Sequence, residues 1–317
     1  MASVSRWEKL LLRPALTSAT NTLPPPTATP VFLYGTAWKK EQTADLVYQA
    51  LSAGFKGIDT AAQPKHYRED LVGEGLRRAL ADDKVKREDV YVQTKYTPVG
   101  SQDIQTVPYE PSSSIADQVH ASIKSSMVNL RVLDDPNSEK DTYLDALVLH
   151  SPLPTINETL EAWATLENYV PHKIRNLGIS NCELPLLKTL YSSAKVKPAI
   201  VQNRFHLGSR FDVGLRQFCR ENSIVYQSFW TLTANPDLVW STEVGLLSQQ
   251  VKISPQSALY CLVLGLGNTV LLNGTKNEGR MLGDLAAPKA VEEFATKHPE
   301  QWAKILGGFR KKIGEIQ

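Results

Sequence analysis

At 317 residues the chain is long enough for two average domains or for one large barrel. A hydrophobic fraction of 42% excludes a disordered chain, and 35 Lys and Arg against 33 Asp and Glu leave a formal charge of only +2. That balance lacks the concentrated positive field of a nucleic-acid binder. Three widely spaced cysteines, Cys182, Cys219 and Cys261, offer no CxxC pair and no disulfide framework, which suits a reducing, cytoplasmic setting. No apolar run reaches the roughly 18 residues of a membrane span. Residues 1–29, ending in a Pro- and Thr-rich stretch, read as a flexible arm before a single domain over 30–317.

From Pro30 onward a short apolar run alternates with an amphipathic stretch. VFLYGT (31–36) is the first expected strand. In the helix expected at 40–54, Ala44, Leu46, Val47, Ala50 and Leu51 have helical spacing and Gly54 is placed to stop it. GIDTA (57–61) precedes a helix at 68–82 with an apolar stripe of Leu71, Val72, Leu76 and Leu80. The pattern continues with strand 89–95 and helix 112–132, strand 143–150 and helix 156–170, strand 174–180 and helix 182–194. Strand 199–206 pairs with helix 210–222, and strand 223–229 with two helical segments at 239–251 and 254–266. Strand 268–274 and helix 277–285 complete the series, before a helical tail at 289–316 broken at His298-Pro299.

Strict alternation implies parallel strands joined by helical crossovers, and eight units can close into an α/β fold of the (β/α)8 TIM barrel type. An open doubly wound sheet would carry a glycine-rich loop after its first strand, where AWKKEQ stands instead. In a barrel, polar groups at the C-terminal ends of strands gather at one mouth. Those ends are Asp59, Lys95, His150, Ser180-Asn181, Gln202, Phe229 and Asn273. A buried Asp, Lys and His must be paired or functional, because a lone desolvated charge is costly. Tyr67 lies in the loop just past Asp59, where a nearby Lys95 ammonium favours its phenolate and Asp59 holds that ammonium in place. A neutral His150 would orient a carbonyl oxygen. The constellation suits protonation of an oxygen that becomes an alkoxide during hydride delivery. Plainer roles compete: a core ion pair for Asp59 and Lys95, a helix cap for Ser180-Asn181, backbone satisfaction for Gln202, a solvated face for Arg280. Ligand spacing for a metal is absent from the sequence.

The segments GTAW (35–38), GFKGIDTA (54–61), YREDLVGEGL (67–76), REDVYVQTK (87–95), YLDALVLHSP (143–152), RNLGISN (175–181) and VQNRFH (201–206) resemble the aldo-keto reductase superfamily from about Thr29 to Leu285. The resemblance implies NADPH, in preference to NADH, as cofactor and a small-molecule carbonyl substrate. It matches Asp59, Tyr67, Lys95 and His150 to the family's catalytic tetrad. Ser180, Asn181 and Gln202 would hold the nicotinamide carboxamide, and Phe229 would stack on the ring. Asn273, Gly274, Thr275 and Arg280 would face the adenosine 2′-phosphate, with Lys276 a weaker candidate. A monomer without nucleic-acid or membrane partners is expected.

Departures from the family pattern bear on the site. The interval between Asp59 and Tyr67 is long, so a one-residue shift would make His66 the acid; YRED before the helix start favours Tyr67, leaving His66 at the mouth. Ser151 follows the histidine where a tryptophan is frequent, and Asn273 stands where a lysine is frequent. Trp38, His66, Ser151 and Trp230 are expected to line the substrate pocket, with Tyr96 and Tyr109 either there or in the core. The chain ends soon after its last helix, so the long C-terminal loop that covers the substrate in the family is expected to be short or missing, with the loop over 96–113 expected to compensate. The expected activity is reduction of an aldehyde or ketone to an alcohol with Tyr67 as proton donor. An NADPH-binding regulatory or redox-sensing subunit with little turnover is the alternative, and an aldolase with a Lys95 Schiff base is a third reading.

Overall fold

The computed structural model describes residues 7–13 and 27–315. Two short strands, β1 (Lys9–Leu11) and β2 (Ala28–Pro30), pair antiparallel ahead of the barrel. The barrel strands are β3 (Phe32–Gly35), β4 (Gly57–Asp59), β5 (Tyr91–Tyr96), β6 (Ala146–Leu149), β7 (Leu177–Ser180), β8 (Ile200–Arg204), β9 (Val225–Phe229) and β10 (Thr269–Asn273). They close in chain order, every pair parallel, with β10 returning to β3. The expected (β/α)8 barrel is therefore the observed one, its strands shorter than the apolar runs because the run ends become loops.

Around the barrel lie α1 (Thr43–Ala53), α2 (Glu69–Ala81), α3 (Ile115–Asn129), α4 (Ile156–Glu167), α5 (Leu184–Ser193) and α6 (Val213–Glu221). After β9 come α7 (Pro236–Val239), α8 (Thr242–Val251) and α9 (Pro255–Gly265), and after β10 come α10 (Glu278–Lys297) and α11 (Pro299–Lys312). Gly54 ends α1 at φ 112°, a left-handed position that glycine adopts without strain. Thr155 and Glu158 close a capping box on α4. The expected break at His298-Pro299 is present, but α10 runs through Pro288, where the sequence suggests a gap after 285. The buried faces of Met281, Ala287, Val291 and Phe294 hold that helix together across the missing amide.

The described part of the arm is packed rather than loose. Leu12 is 2% exposed and joins Leu33, Tyr91, Ala146, Ile200, Val225 and Val270, residues from the N-terminal ends of the strands. Trp7 is buried edge-on against Trp302 of α11, with ring centroids 5.7 Å apart. The strand pair thus plugs the floor of the barrel, anchored by Trp7 and Leu12 with Leu10 partly buried beside them. Opposite this floor the mouth is open.

Candidate active site

Side chains alternate along each strand, so one parity faces the barrel axis and the other the helices. In β5 the inward set is Tyr91, Gln93 and Lys95; the outward Thr94 and Tyr96 meet Glu69 and Gln118 of the helical layer. The inward set of β8 is Ile200, Gln202 and Arg204, and that of β9 is Val225, Gln227 and Phe229. Asp59 closes β4 in register with Gln93, and Gln202 lies in register with both Ser180 and Gln227.

At the centre, Lys95 Nζ donates to Asp59 Oδ2 at 2.6 Å and to the Thr60 carbonyl at 2.8 Å. Both charged residues are 1% exposed, so neither could be left unpaired cheaply. Asp59 Oδ1 accepts from Gln93 Nε2 at 2.7 Å and from Gln202 Nε2 at 2.9 Å. Gln227 Oε1 accepts from the same two amides, at 2.8 and 2.9 Å, and its own amide donates back to Gln93 at 2.9 Å. Two buried glutamines therefore clamp the carboxylate that holds the lysine, and a third, Gln227, fixes both of them. Gln202 had a cofactor role in view, yet its Nε2 is occupied here and only its Oε1 is left for a ligand.

Tyr67 sits over this pair. The Lys95 Nζ lies 5.2 Å from its ring centroid, and the His150 ring centroid is 5.9 Å away, edge-on. Asp59, Lys95 and His150, from three strand ends, and Tyr67, from the loop after β4, meet at the mouth. Glu69, buried at the start of α2, fixes the loop that carries Tyr67 by accepting from Thr94, Ser126 and Asn129. Burial raises the Glu69 carboxyl's pKa, which those hydrogen bonds oppose.

The electrostatics differ from the expectation in one respect. Burial, with the Asp59 charge second, pushes the Tyr67 phenol above its ordinary range. Lys95 does not offset this here, because its donors point at Asp59 and Thr60, and burial disfavours its own charged form as well. The phenol consequently rests in its protonated form, which a proton donor requires. Burial, then the Lys95 and His66 charges, hold the His150 imidazole well below its ordinary pKa. Its Nδ1 is 2.7 Å from the Thr97 hydroxyl, which as donor leaves Nε2 to carry the hydrogen.

This depressed pKa has a consequence for stability. Below about pH 6.5 an unfolded His150 takes up a proton that the folded one refuses, so stability falls as pH drops through that range. His150→Gln is expected to flatten this loss by on the order of 1 kcal/mol in unfolding free energy, from urea denaturation compared between about pH 7.5 and about pH 5.5. Equal pH slopes for the two proteins would refute it.

A cleft of about 1280 Å³ opens on these groups and continues to the start of α10. Trp38, His66, Ser151 and Trp230 line it, as does Phe229; Trp38 and Trp230 are 55% and 46% exposed. His66 stacks on Trp38 with ring centroids 3.8 Å apart, and its Nδ1 is buried without a partner. Tyr96 and Tyr109 are buried in the core, not in the pocket. The loop over 96–113 folds against the mouth, where the Ser101 carbonyl accepts from Gln63 at 2.6 Å and Gln102 donates to the Ala62 carbonyl at 2.8 Å.

Asn181, at φ 53°, donates to the His150 carbonyl at 2.9 Å and to Ser180 Oγ at 3.1 Å, and Ser180 donates to the Gln202 carbonyl at 2.6 Å. Ser180, Asn181 and Gln202 thus form one polar wall beside His150; the cap of α5 is Glu183 instead. Further along, Asn273 faces outward and is 1% exposed, donating to Asp284 at 2.8 Å and accepting from the Thr275 amide at 3.0 Å. It shapes the loop, and one N–H of its amide stays unused beside the cleft. Gly274 and Thr275 are tied down through their carbonyls by Lys39 at 2.8 Å and Tyr34 at 3.0 Å, while Arg280 is exposed on the first turn of α10.

A dinucleotide suits this shape. A Cβ at Gly274 or Gly283 would meet no heavy atom within 4 Å, so the cleft stays open along α10. Cations Lys252 and Arg280 line that end, and the polar wall at Ser180 and Asn181 lines the other.

Comparison with known proteins agrees with the geometry. An NAD(P)H-dependent D-xylose reductase from Pachysolen tannophilus is 27% identical over 194 residues, 53% of this chain and 54% of that one. An uncharacterized oxidoreductase of Schizosaccharomyces pombe is 26% identical over 271 residues, 83% of this chain and 86% of that one. The crystal structure of a Bombyx mori aldo-keto reductase in complex with NADP shares the fold with a TM-score of 0.65 at 20% identity, over 84% of this chain and 90% of the other. The Aldo/keto reductase family model matches residues 32–235, and the chain belongs to that family.

Proposed function

We propose that the protein reduces an aldehyde or ketone to an alcohol with NADPH, in preference to NADH. The observation that carries this is the convergence of Asp59, Tyr67, Lys95 and His150 beside one long cleft. When bound, NADPH supplies the hydride. Ser180, Asn181 and Gln202 are the residues to hold its carboxamide, Phe229 to face its ring, and Gly274, Thr275 and Arg280 to meet the 2′-phosphate. The name of the Pachysolen relative, which includes NAD(P)H, supports this cofactor class.

The chain's own groups then divide the work. Neutral His150 offers Nε2–H to the carbonyl oxygen and orients it. The protonated Tyr67 phenol gives its proton to the oxygen as negative charge builds there; an alkoxide is basic enough to take it from a phenol of raised pKa. Lys95, fixed by Asp59 and the glutamines, places a positive charge under the phenolate that results.

The test is a cofactor titration comparing NADPH with NADH, followed by a panel of aldehydes and ketones with the preferred one. Oxidation of NADPH that depends on the carbonyl supports the reading; tight cofactor binding with no turnover of any carbonyl favours a regulatory subunit. Arg280→Met is expected to lower the NADPH-over-NADH preference about 10- to 100-fold, the worth of one charge-assisted contact. An unchanged preference would remove Arg280 from the phosphate site.

A further inference from the structure

Arg204 stands two residues beyond Gln202 on the inward face of β8, one step above the clamp on Asp59 and directly at the mouth. Its guanidinium carbon lies 4.2 Å from the ring of Trp230, and both side chains are exposed to the same cleft. Trp230 has φ 55°, a left-handed backbone that costs a bulky residue strain and is kept where the surroundings enforce it. A stacked guanidinium uses its flat face and leaves its edge N–H groups available, the geometry that takes a carboxylate or phosphate oxygen pair. Among the described residues no acidic side chain pairs with Arg204 or with Lys65, the cation on the loop beside His66 and Tyr67.

The carboxylates that line the cleft are already used. Asp59 is held by Lys95, Gln93 and Gln202, and Asp284 accepts from Ser257 at 2.6 Å and Asn273 at 2.8 Å. Among the described residues the cleft therefore presents Arg204 and Lys65 as cations without an acidic partner, and no carboxylate that is free of donors. We infer that the cleft selects carbonyl substrates bearing an anionic group, a carboxylate or a phosphate, held by Arg204 on its Trp230 platform with Lys65 as a second cation. The inference rests on the reductase reading and adds a specificity to it.

Two matched pairs test it: 4-carboxybenzaldehyde against methyl 4-formylbenzoate, and glyceraldehyde 3-phosphate against glyceraldehyde. In at least one pair the anionic member is expected to have the higher kcat/KM by about tenfold or more, in line with one bidentate charge-assisted contact. The pair that shows it identifies carboxylate or phosphate. Arg204→Met should reduce that ratio at least tenfold, and Arg204→Lys should restore part of it. Turnover of the neutral members reports on the reductase reading separately. The same pairs titrated against intrinsic tryptophan fluorescence, without cofactor, give an affinity ratio even if no aldehyde turns over. Ratios of one or less in both pairs overturn the inference. So does an Arg204→Met protein whose ratios are unchanged while its NADPH affinity falls, since that assigns the arginine to the cofactor.

Discussion

Tyr67→Phe is expected to lower kcat/KM by about 10³-fold or more while NADPH affinity changes by less than about threefold, because general-acid transfer contributes on the order of 10²–10⁴. The substitution removes one oxygen and keeps the ring, so the contacts with Lys95 at 5.2 Å and His150 at 5.9 Å survive. Among the described residues no other phenol lines the cleft except Tyr260, which is 5% exposed and packs against Phe32 of β3. His66 is the competing acid, with a buried Nδ1 that has no partner. Burial lowers its pKa, which leaves the ring neutral and less suited to carry a proton for delivery. A Tyr67→Phe protein that kept a tenth or more of its turnover would pass the role to His66, and His66→Gln would then abolish it. Steady-state rates together with a fluorescence titration of NADPH decide between them.

Lys95→Met is expected to cost about 3–5 kcal/mol of stability as well as on the order of 10² in kcat, because it leaves Asp59 charged and buried without its cation. Asp59 is 1% exposed and its remaining partners, Gln93 and Gln202, donate hydrogen bonds but no charge. The double variant Asp59→Asn with Lys95→Met removes both charges, and should recover much of the lost stability and none of the activity. Urea denaturation of wild type, single and double variants measures the first part, and turnover the second. If the double variant were as unstable as the single one, the ion pair would not be the cause. If the single variant turned over normally, Lys95 would have no part in the proton transfer.

Much of this site was legible before any coordinates, and the reason is periodicity. Apolar runs that end in Asp59, Lys95 and His150 place those residues at strand ends, and a closed barrel brings strand ends together. Tyr67 came from the resemblance and from its place in the loop after Asp59. Gln93, Gln227 and Arg204 carried a weaker signal in the same strands. Each shares inward parity with a recognised residue: Gln93 with Lys95, Gln227 with Phe229, and Arg204 with Gln202. A glutamine inside an apolar run does not reveal its partner, since the partner is more than a hundred residues away in the Gln93–Gln227 and Asp59–Gln202 pairs. Glu69 reads as an ordinary acidic residue at a helix start, and only packing shows that it anchors the Tyr67 loop to β5 and α3. Asn273 is a mixed case: the resemblance implies a place at the phosphate, and its outward parity on β10 adds a bond to Asp284 that the sequence does not reveal.

The floor of the barrel was hidden for a related reason. Trp7 and the run Leu10–Leu12 form one short apolar block with no periodic continuation, so local pattern does not separate them from a loose arm. The burial of Trp7 and Leu12 depends on Leu33, Tyr91 and Trp302, which the chain supplies much later. Pro288 is similar: a proline inside a helix contradicts local propensity, and the contacts of the surrounding turns override it.

The central claim is that Tyr67 and His150 address one substrate oxygen beside the nicotinamide of a bound cofactor. A crystal structure with NADPH and a carbonyl-containing inhibitor measures it directly. The carbonyl oxygen is expected within hydrogen-bond reach, about 2.6–3.2 Å, of both the Tyr67 hydroxyl and His150 Nε2, with the nicotinamide against Phe229. An inhibitor oxygen bonded to His66 instead, or a cofactor seated outside this cleft, would contradict it.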